Sequence, residues 1–171
     1  MAEYWDLLDE YLHITGKTLR RGDSVPDGYF HVVVDILSVN SVGKILITKR
    51  HHDKPFGDKW EISGGSVLAG ESSIDGAIRE LFEETGLSAD ASQLLYCGEV
   101  VRRRSRAVHH MYLYKGDFGD KDIVLQEGET VDFKLVTADE LYELTKSGEF
   151  LEFQYNRIKG FFSEIIGDDV K

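Results

Sequence analysis

The sequence predicts an α/β protein of the α+β type, and three features of the chain lead to that class. Two β-branched runs, 32–39 and 45–49, flank a short turn-like loop and predict a hairpin of buried strands. Residues 72–85 follow a glycine-rich loop and have the apolar spacing of an amphipathic helix. The later elements follow neither the regular alternation of a doubly wound sheet nor an all-β order, so a mixed α+β arrangement is expected.

The remaining strands and the second helix are predicted from the same patterns. Residues 94–101 and 108–115 predict a second hairpin around the basic segment 102–106, and residues 131–136 predict another strand. Residues 137–140 have the form of a capping box. A short helix is therefore expected to begin there and to continue through Lys146.

The two ends of the chain are predicted from shorter patterns. A last helix is expected from residue 151 to about 166, because four apolar side chains fall at helical spacing: Tyr155, Ile158, Phe162 and Ile165. Near the beginning, residues 5–8 and 17–20 are expected to pair as short strands around a turn at residues 15–16.

The length predicts one domain. The chain has 171 residues, close to the ~150 of a typical domain, and it has two prolines and no Ser/Gly-rich linker. We expect a single domain over 1–171, with an N-terminal extension over 1–28 and a core over about 29–166.

Composition limits the class of protein. The 31 acidic residues exceed the 20 basic ones and give a net charge of −11, which disfavours a general nucleic-acid binder. A single cysteine, Cys97, cannot form an internal disulfide. The chain opens without a secretory signal pattern and has no apolar stretch long enough to span a membrane, so a cytoplasmic protein is expected.

Three glutamates on the predicted helix suggest a metal site. Glu80, Glu83 and Glu84 share one helix face, nearly opposite the apolar residues. Like charges at i and i+4 cost an isolated helix a few tenths of a kcal/mol, so local stability does not account for them. Clustered carboxylates suit Mg²⁺ or Mn²⁺. The alternative is a solvated acidic face, which is the commoner role of a charge run.

The residues around these glutamates resemble a known family. Every specified position of the Nudix box is present at its spacing: Gly65, Glu71, Arg79-Glu80-Leu81, Glu83-Glu84 and Gly86-Leu87. A weaker resemblance to the Nudix hydrolase family extends over about 29–166. It implies the Nudix fold, a mixed β-sheet sandwiched between α-helices, and hydrolysis of a diphosphate linked to another group.

The resemblance also implies metal ligands. Glu80, Glu83 and Glu84 match the metal-binding glutamates of the family, and the carbonyl of Gly65 matches a frequent further ligand. Mg²⁺ or Mn²⁺ is the implied cofactor. Metal ions that bridge the phosphorus oxygens would neutralise charge and activate a water molecule.

Other matching positions imply support and proton transfer. Glu71 and Arg79 match a pair that supports the loop against the helix. The family often adds one glutamate from the loop before the last strand, and Glu127 is our first choice and Glu129 our second. Either Glu83 or Glu127 is expected to act as the general base.

Four residues outside the box are candidates for substrate binding. Lys49 and Arg50 lie at a strand end, and Arg104 lies in the basic segment 102–106, so each could hold a phosphate. Trp60 could stack on a base. The alternatives are surface roles for the basic residues and a core role for Trp60.

Three competing functions are also considered. The N-terminal segment is similar to that of the isopentenyl diphosphate isomerase group, but residues 60–66 contain no cysteine and only His31 fits a histidine ligand of that group. The second is a non-catalytic nucleotide-binding module, and the third is an enzyme acting on capped RNA. The partner we expect is a small diphosphate-containing substrate, with no membrane and no nucleic acid and, by analogy with relatives, a homodimer.

Overall fold

The computed structural model of the chain describes residues 2–161, whose strands form two sheets. In this part of the chain the strands are β1 (Tyr4–Leu8), β2 (Ile14–Arg20), β3 (His31–Asn40), β4 (Ile45–Arg50), β5 (Trp60–Glu61), β6 (Ser63–Ser66), β7 (Leu94–Arg102), β8 (Ala107–Gly116) and β9 (Thr130–Val136). The helices are α1 (Ser73–Thr85), α2 (Ala138–Lys146) and α3 (Glu152–Ile158). The α+β class is confirmed.

The central sheet is organised around β3. This strand pairs in parallel with β8 along its whole length, and β7 continues the sheet as the antiparallel partner of β8. On the other side, β4 pairs with β3 only at Ser38 and Val39 before it diverges toward β5 and β9. The antiparallel strand β6 takes the vacated place beside residues 33–36 of β3. The loop that precedes α1 is thereby fixed at the middle of the sheet.

The two larger apolar clusters within residues 2–161 lie on opposite sides of this sheet. One core contains Leu141 of α2 and Ile158 of α3 beside sheet residues such as Ile47. The other contains Ala77 and Leu81 of α1 beside a second set of strand residues. The sheet therefore lies between α1 and the α2/α3 pair, as the family resemblance implies.

The N-terminal strands pair, but the turn lies elsewhere than predicted. β1 and β2 are antiparallel from the pair Tyr4 and Arg20 to the pair Leu8 and Ile14, so residues 15–16 lie inside β2. The turn is made by residues 9–13. It is closed by the Asp9 carboxylate, which accepts hydrogen bonds from two backbone N–H groups at 2.9 Å. An aspartate that bonds the backbone ahead of it is a common turn device.

The C-terminal helices agree with the sequence as far as they are described. α2 begins at a complete capping box: the Thr137 hydroxyl accepts from the Glu140 N–H at 3.1 Å, and the Glu140 carboxylate accepts from the Thr137 N–H at 2.7 Å. The last predicted helix is confirmed as α3, followed by a 3₁₀ turn at Lys159–Phe161. Its predicted continuation through Phe162 and Ile165 lies outside the described residues. Within residues 2–161, no helix is long and apolar enough to cross a membrane.

Candidate active site

The acidic helix α1 has defined ends. The Ser72 hydroxyl accepts a hydrogen bond from the Asp75 N–H at 3.2 Å and so caps the first turn. The helix ends at Gly86, whose φ of 73° is the left-handed conformation that glycine adopts readily. These ends confirm the helix predicted over residues 72–85, and they fix which side chains point away from the core.

A cavity of about 310 Å³ lies on the side of α1 that carries the glutamates. We call it the glutamate cavity. Its acidic lining residues are Glu3, Glu80, Glu83, Glu84 and Glu129. Its basic lining residues are Arg21, Lys54 and Arg79. The cavity is completed by residues 64–66 and by Gln126, so it joins α1 to the glycine loop (residues 64–71), the N-terminal hairpin and the segment before β9.

Arg79 holds α1 against the glycine loop. Its guanidinium donates to both carboxylate oxygens of Glu71, at 2.9 and 3.0 Å, and to the carbonyl of Ser66 at 3.0 Å. Its remaining nitrogen donates to Glu80 at 2.8 Å and to Glu83 at 3.1 Å. One guanidinium thus fixes the loop and two of the predicted metal ligands in a single arrangement, since five donors in a rigid fork can serve several oxygens.

Close approach between the glycine loop and the glutamates requires glycine. A Cβ at Gly65 would lie 2.3 Å from the carboxyl carbon of Glu80, and a Cβ at Gly64 would lie 2.2 Å from the carbonyl oxygen of Val34. The Gly64 N–H donates to Glu84 at 3.1 Å. The loop backbone therefore lies directly against two of the three glutamates.

The electrostatics of this site favour a cation. Glu84 is 5% exposed, and burial, followed by the nearby charges of Glu61 and Glu80, raises the pKa of its carboxyl well above the ordinary value. Burial also raises the pKa of Glu80. Carboxylates buried together hold protons unless a cation is present. A divalent ion with hard oxygen ligands fits this donor set of Glu80, Glu83, Glu84 and the Gly65 carbonyl.

Glu61 is a buried charged group that no sequence pattern predicted. It lies in β5 and is 4% exposed, and one of its oxygens accepts from Arg50 at 2.5 Å. The other oxygen is buried without a hydrogen-bond partner within residues 2–161. Burial is the main cause that raises the pKa of Glu61. A lone carboxylate between two large apolar residues, Trp60 and Ile62, is the pattern that could have indicated it.

The loop before β9 places Glu129 in the glutamate cavity and leaves Glu127 outside it. Glu129 forms an ion pair with Lys54, whereas Glu127 is exposed and does not line the cavity. The reason is a tight turn: the Glu129 N–H donates to the Gln126 carbonyl at 3.2 Å, and Gly128 has a φ of 79°. The second choice from the sequence is therefore at the site, and the first choice is not.

The predicted substrate-binding residues are dispersed. Trp60 is 3% exposed and lies in the apolar core, so it cannot stack on a base. The Lys134 ammonium lies over this ring, 4.5 Å from its centroid. The Lys49 ammonium lies 5.8 Å from the centroid of the same ring, and Lys49 does not line the glutamate cavity. Arg104 is exposed at the tip of the β7–β8 hairpin and also lies outside the cavity. None of the three residues lines the glutamate cavity, and Trp60 has the core role that was the alternative for it.

Arg50 lines a second cavity of about 250 Å³ that shares Gly64 with the glutamate cavity. At its base, Arg157 donates to both oxygens of Asp35 at 2.9 Å, and His109 shares a hydrogen bond of 2.7 Å with the same carboxylate. Burial alone would raise the pKa of Asp35, but the bond from His109 and the charge of Arg157 outweigh it and hold that pKa below its ordinary value.

The residues considered for an isomerase do not meet at the glutamate cavity. His31 is buried against Trp5, with ring centroids 4.3 Å apart, and burial lowers its pKa to about 4. Cys97 lies in β7 and packs partly against the apolar core. Neither residue lines the cavity, so the similarity of the N-terminal segment to that group is not supported here.

Comparison with known proteins agrees with this geometry. Residues 29–155 match the NUDIX domain family. The chain is 35% identical over 160 residues to a Nudix hydrolase of Listeria monocytogenes, which covers 88% of this chain and 89% of that protein. The fold of this chain is similar to that of DR0079 from Deinococcus radiodurans, with a TM-score of 0.69 and 22% identity over 86% of this chain and 91% of that one. It is also similar to a bifunctional NMN adenylyltransferase/ADP ribose pyrophosphatase from Francisella tularensis, with a TM-score of 0.63, 25% identity, and coverage of 82% and 43%. The chain therefore belongs to the Nudix hydrolase family and is an enzyme of the pyrophosphohydrolase class.

Proposed function

We propose that this chain is a Mg²⁺- or Mn²⁺-dependent hydrolase that cleaves the diphosphate bond of a small metabolite, of the nucleoside diphosphate-X type or related to it, by attack of water at phosphorus. The observation that supports this most directly is the convergence of Glu80, Glu83 and Glu84 on one cavity beside the Gly65 backbone. Glu84 is buried and the Glu80 side chain is only 15% exposed, and charged carboxylates in such positions destabilise a fold unless cations offset them, so metal binding accounts for the cluster.

The metal would be held by these three carboxylates and by the Gly65 carbonyl. When bound, divalent ions neutralise charge on the phosphorus oxygens and lower the pKa of a water molecule. Arg79 has a positioning role, because its bonds to Glu80 and Glu83 keep both carboxylates turned into the cavity. Glu71 contributes by holding the other side of the same guanidinium.

The general base is Glu83 or Glu129. The side chain of Glu83 is 41% exposed, so it can accept a proton from a water molecule within the cavity. Glu129 lines the same cavity and is held by Lys54. Since Glu127 lies outside, Glu129 takes its place as the second candidate. Substitution of the base by glutamine should remove the acidic limb of the pH profile of kcat, whereas substitution of a metal ligand should raise the metal concentration required.

The X group of the substrate has room beside the diphosphate. The second cavity adjoins the glutamate cavity at Gly64 and offers Phe56 and Phe153, whose rings lie 5.6 Å apart. The similar Francisella protein is described as an ADP ribose pyrophosphatase, which makes nucleoside diphosphate sugars the first compounds to test.

The decisive experiment measures phosphate and nucleotide release from nucleotide sugars, dinucleotides, nucleoside triphosphates and prenyl diphosphates, with Mg²⁺ or Mn²⁺ and with chelator. We expect metal-dependent turnover of one class, and a loss of at least about 100-fold in Glu84→Gln, because the isosteric amide keeps the helix but removes a charged ligand. Glu127→Gln is the matched control, since it makes the same change outside the cavity and should retain activity. No turnover of any compound with metal present would contradict the proposal.

A further inference from the structure

The N-terminal hairpin adds a cation to the wall of the glutamate cavity. Arg21 directly follows β2, and it lines the cavity together with the three glutamates of α1. This residue lies outside 29–155, the part of the chain that matches the NUDIX domain family. Its presence at the site is therefore a feature of this chain's extension and not of the shared domain.

The hairpin is attached to the loop that leads into α1. The Ala69 N–H donates to the Tyr4 carbonyl at 2.8 Å, and the Gly70 N–H donates to the Asp6 carboxylate at 2.7 Å. The Arg21 N–H in turn donates to the Glu3 carbonyl at 2.9 Å. Backbone contacts thus run from Arg21 through β1 to the glycine loop, so the place of Arg21 beside the cavity is fixed by the fold.

Among the cations of residues 2–161 that line the glutamate cavity, Arg21 is the most available for a ligand. Arg79 is engaged by Glu71, Glu80 and Glu83, and the ammonium of Lys54 is paired with Glu129. Arg21 pairs with Glu3 at 2.6 Å, and these two side chains are 60% and 44% exposed. An exposed ion pair contributes little free energy. A second anion can therefore replace Glu3 at small cost.

A diphosphate that enters the cavity needs a cation beside it, and Arg21 can supply that charge. Metal ions at α1 would offset the glutamates, but a diphosphate brings further negative charge into a protein whose net charge is −11. The hydrogen bond to Glu3 raises the pKa of Arg21 above its ordinary value, and the nearby charges of Glu129 and Glu80 raise it further, so the guanidinium lies within electrostatic reach of the glutamates in the cavity. A guanidinium can donate to two phosphate oxygens at once.

We propose that Arg21 is a substrate-binding residue that exchanges Glu3 for the phosphate oxygens of the diphosphate. This inference rests on the proposed function for its substrate. The exchange is a change of hydrogen-bond partner only, in which Glu3 turns to solvent as the phosphate enters. The N-terminal hairpin is then part of the active site and not only a covering element.

The test compares Arg21→Ala with Arg20→Ala, which removes the same side chain one residue earlier, where it is exposed and does not line the cavity. The probe is methylenediphosphonate, a diphosphate that cannot be hydrolysed, titrated in the presence of Mg²⁺. We expect Arg21→Ala to raise the Kd about tenfold, the loss of one charge-assisted contact. Arg20→Ala should stay within twofold. Arg21→Lys should lie between the wild type and Arg21→Ala, since it keeps the charge but not the fork.

Two further results separate this inference from the proposed function. With a hydrolysed substrate, Arg21→Ala should raise KM more than it lowers kcat, and Glu3→Gln should lower KM because it frees the guanidinium. If the wild type binds the diphosphonate but hydrolyses nothing, the hydrolase proposal fails, while a raised Kd in Arg21→Ala still supports the inference. If the wild type hydrolyses its substrate and Arg21→Ala has the wild-type Kd and KM, or if Arg20→Ala weakens binding equally, the inference is wrong.

Discussion

Gly65 affects the site through the side chain that it lacks. An added Cβ would lie 2.3 Å from the Glu80 carboxyl carbon, and Glu80 is held on its other side by Arg79 at 2.8 Å. Gly65→Ala must therefore push Glu80 out of its place. We expect the variant to fold but to lose at least about tenfold in Mg²⁺ affinity and in turnover, since a carboxylate ligand is displaced.

The control for this substitution is Gly119→Ala. Gly119 has an extended backbone, and a Cβ there would meet no atom within 4 Å. Isothermal titration with Mg²⁺ and the rate of substrate hydrolysis would be measured for both variants. Wild-type metal affinity in Gly65→Ala would show that Glu80 does not need its observed position.

Among single residues, the sequence predicted which groups of the box lie close together, but it did not predict which loop side chains line the cavity. The structure brings Gly65, Glu80 and Arg79 together as their spacing on one loop and helix requires. The choice between Glu127 and Glu129 depended on a turn at Gly128, which a pattern of acidic residues does not specify. Arg21 and Lys54 reach the cavity through tertiary contacts between distant segments, so no local pattern could predict them.

Among the secondary-structure elements, the contact between the N-terminal hairpin and the central sheet should depend on pH. His31, the first residue of β3, stacks on Trp5 of β1 and has a pKa lowered to about 4, mainly by burial and further by His109. The unfolded chain, with an ordinary histidine pKa near 6.5, binds the proton more readily below that pH. The stability that comes from burying neutral His31 is therefore fully present above about pH 6.5 and is lost as the pH falls toward 4.

Urea unfolding at pH 7 and pH 5 would measure this effect. The difference between the folded and unfolded pKa of His31 predicts that the free energy of unfolding falls by about 2 kcal/mol between these two pH values. His31→Phe keeps a ring for the stack and breaks no bond of Nδ1, which is buried without a partner in the described part of the chain. We expect the wild type to lose about 2 kcal/mol more than the variant on acidification. Equal losses in both proteins would contradict a neutral, buried His31.

The elements show where local patterns suffice and where they do not. Both core hairpins, α1 and the capping box of α2 are set by residues close together in sequence, and all were predicted. The parallel pairing of β3 with β8 joins two hairpins across the chain, and only the burial of both strands decides it. The predicted turn of the N-terminal hairpin, at the Thr15-Gly16 pair, was wrong, because the observed turn is closed by the Asp9 carboxylate through bonds to backbone N–H groups two and four residues ahead.

For the whole molecule, the net charge and the buried glutamates lead to a common expectation about stability. A protein with a charge of −11 is weakened by repulsion among its own carboxylates, and any salt relieves part of that repulsion. Glu84 and Glu80 add a local part, because burial raises their pKa values and so opposes their charged forms. Only an ion that enters the glutamate cavity can relieve this local part.

Thermal unfolding in MgCl₂ and in NaCl of equal ionic strength separates these two contributions. Binding to the native state alone stabilises it by RT ln(1 + [L]/Kd), which is about 1.4 kcal/mol at ten times the Kd. For a chain of this size the midpoint should rise by about 4 °C beyond the NaCl value. In Glu84→Gln the additional rise should disappear, while the common effect of ionic strength remains. Equal midpoints in the two salts for the wild type would mean that Mg²⁺ acts on the surface charge alone and that the glutamate cavity does not bind it.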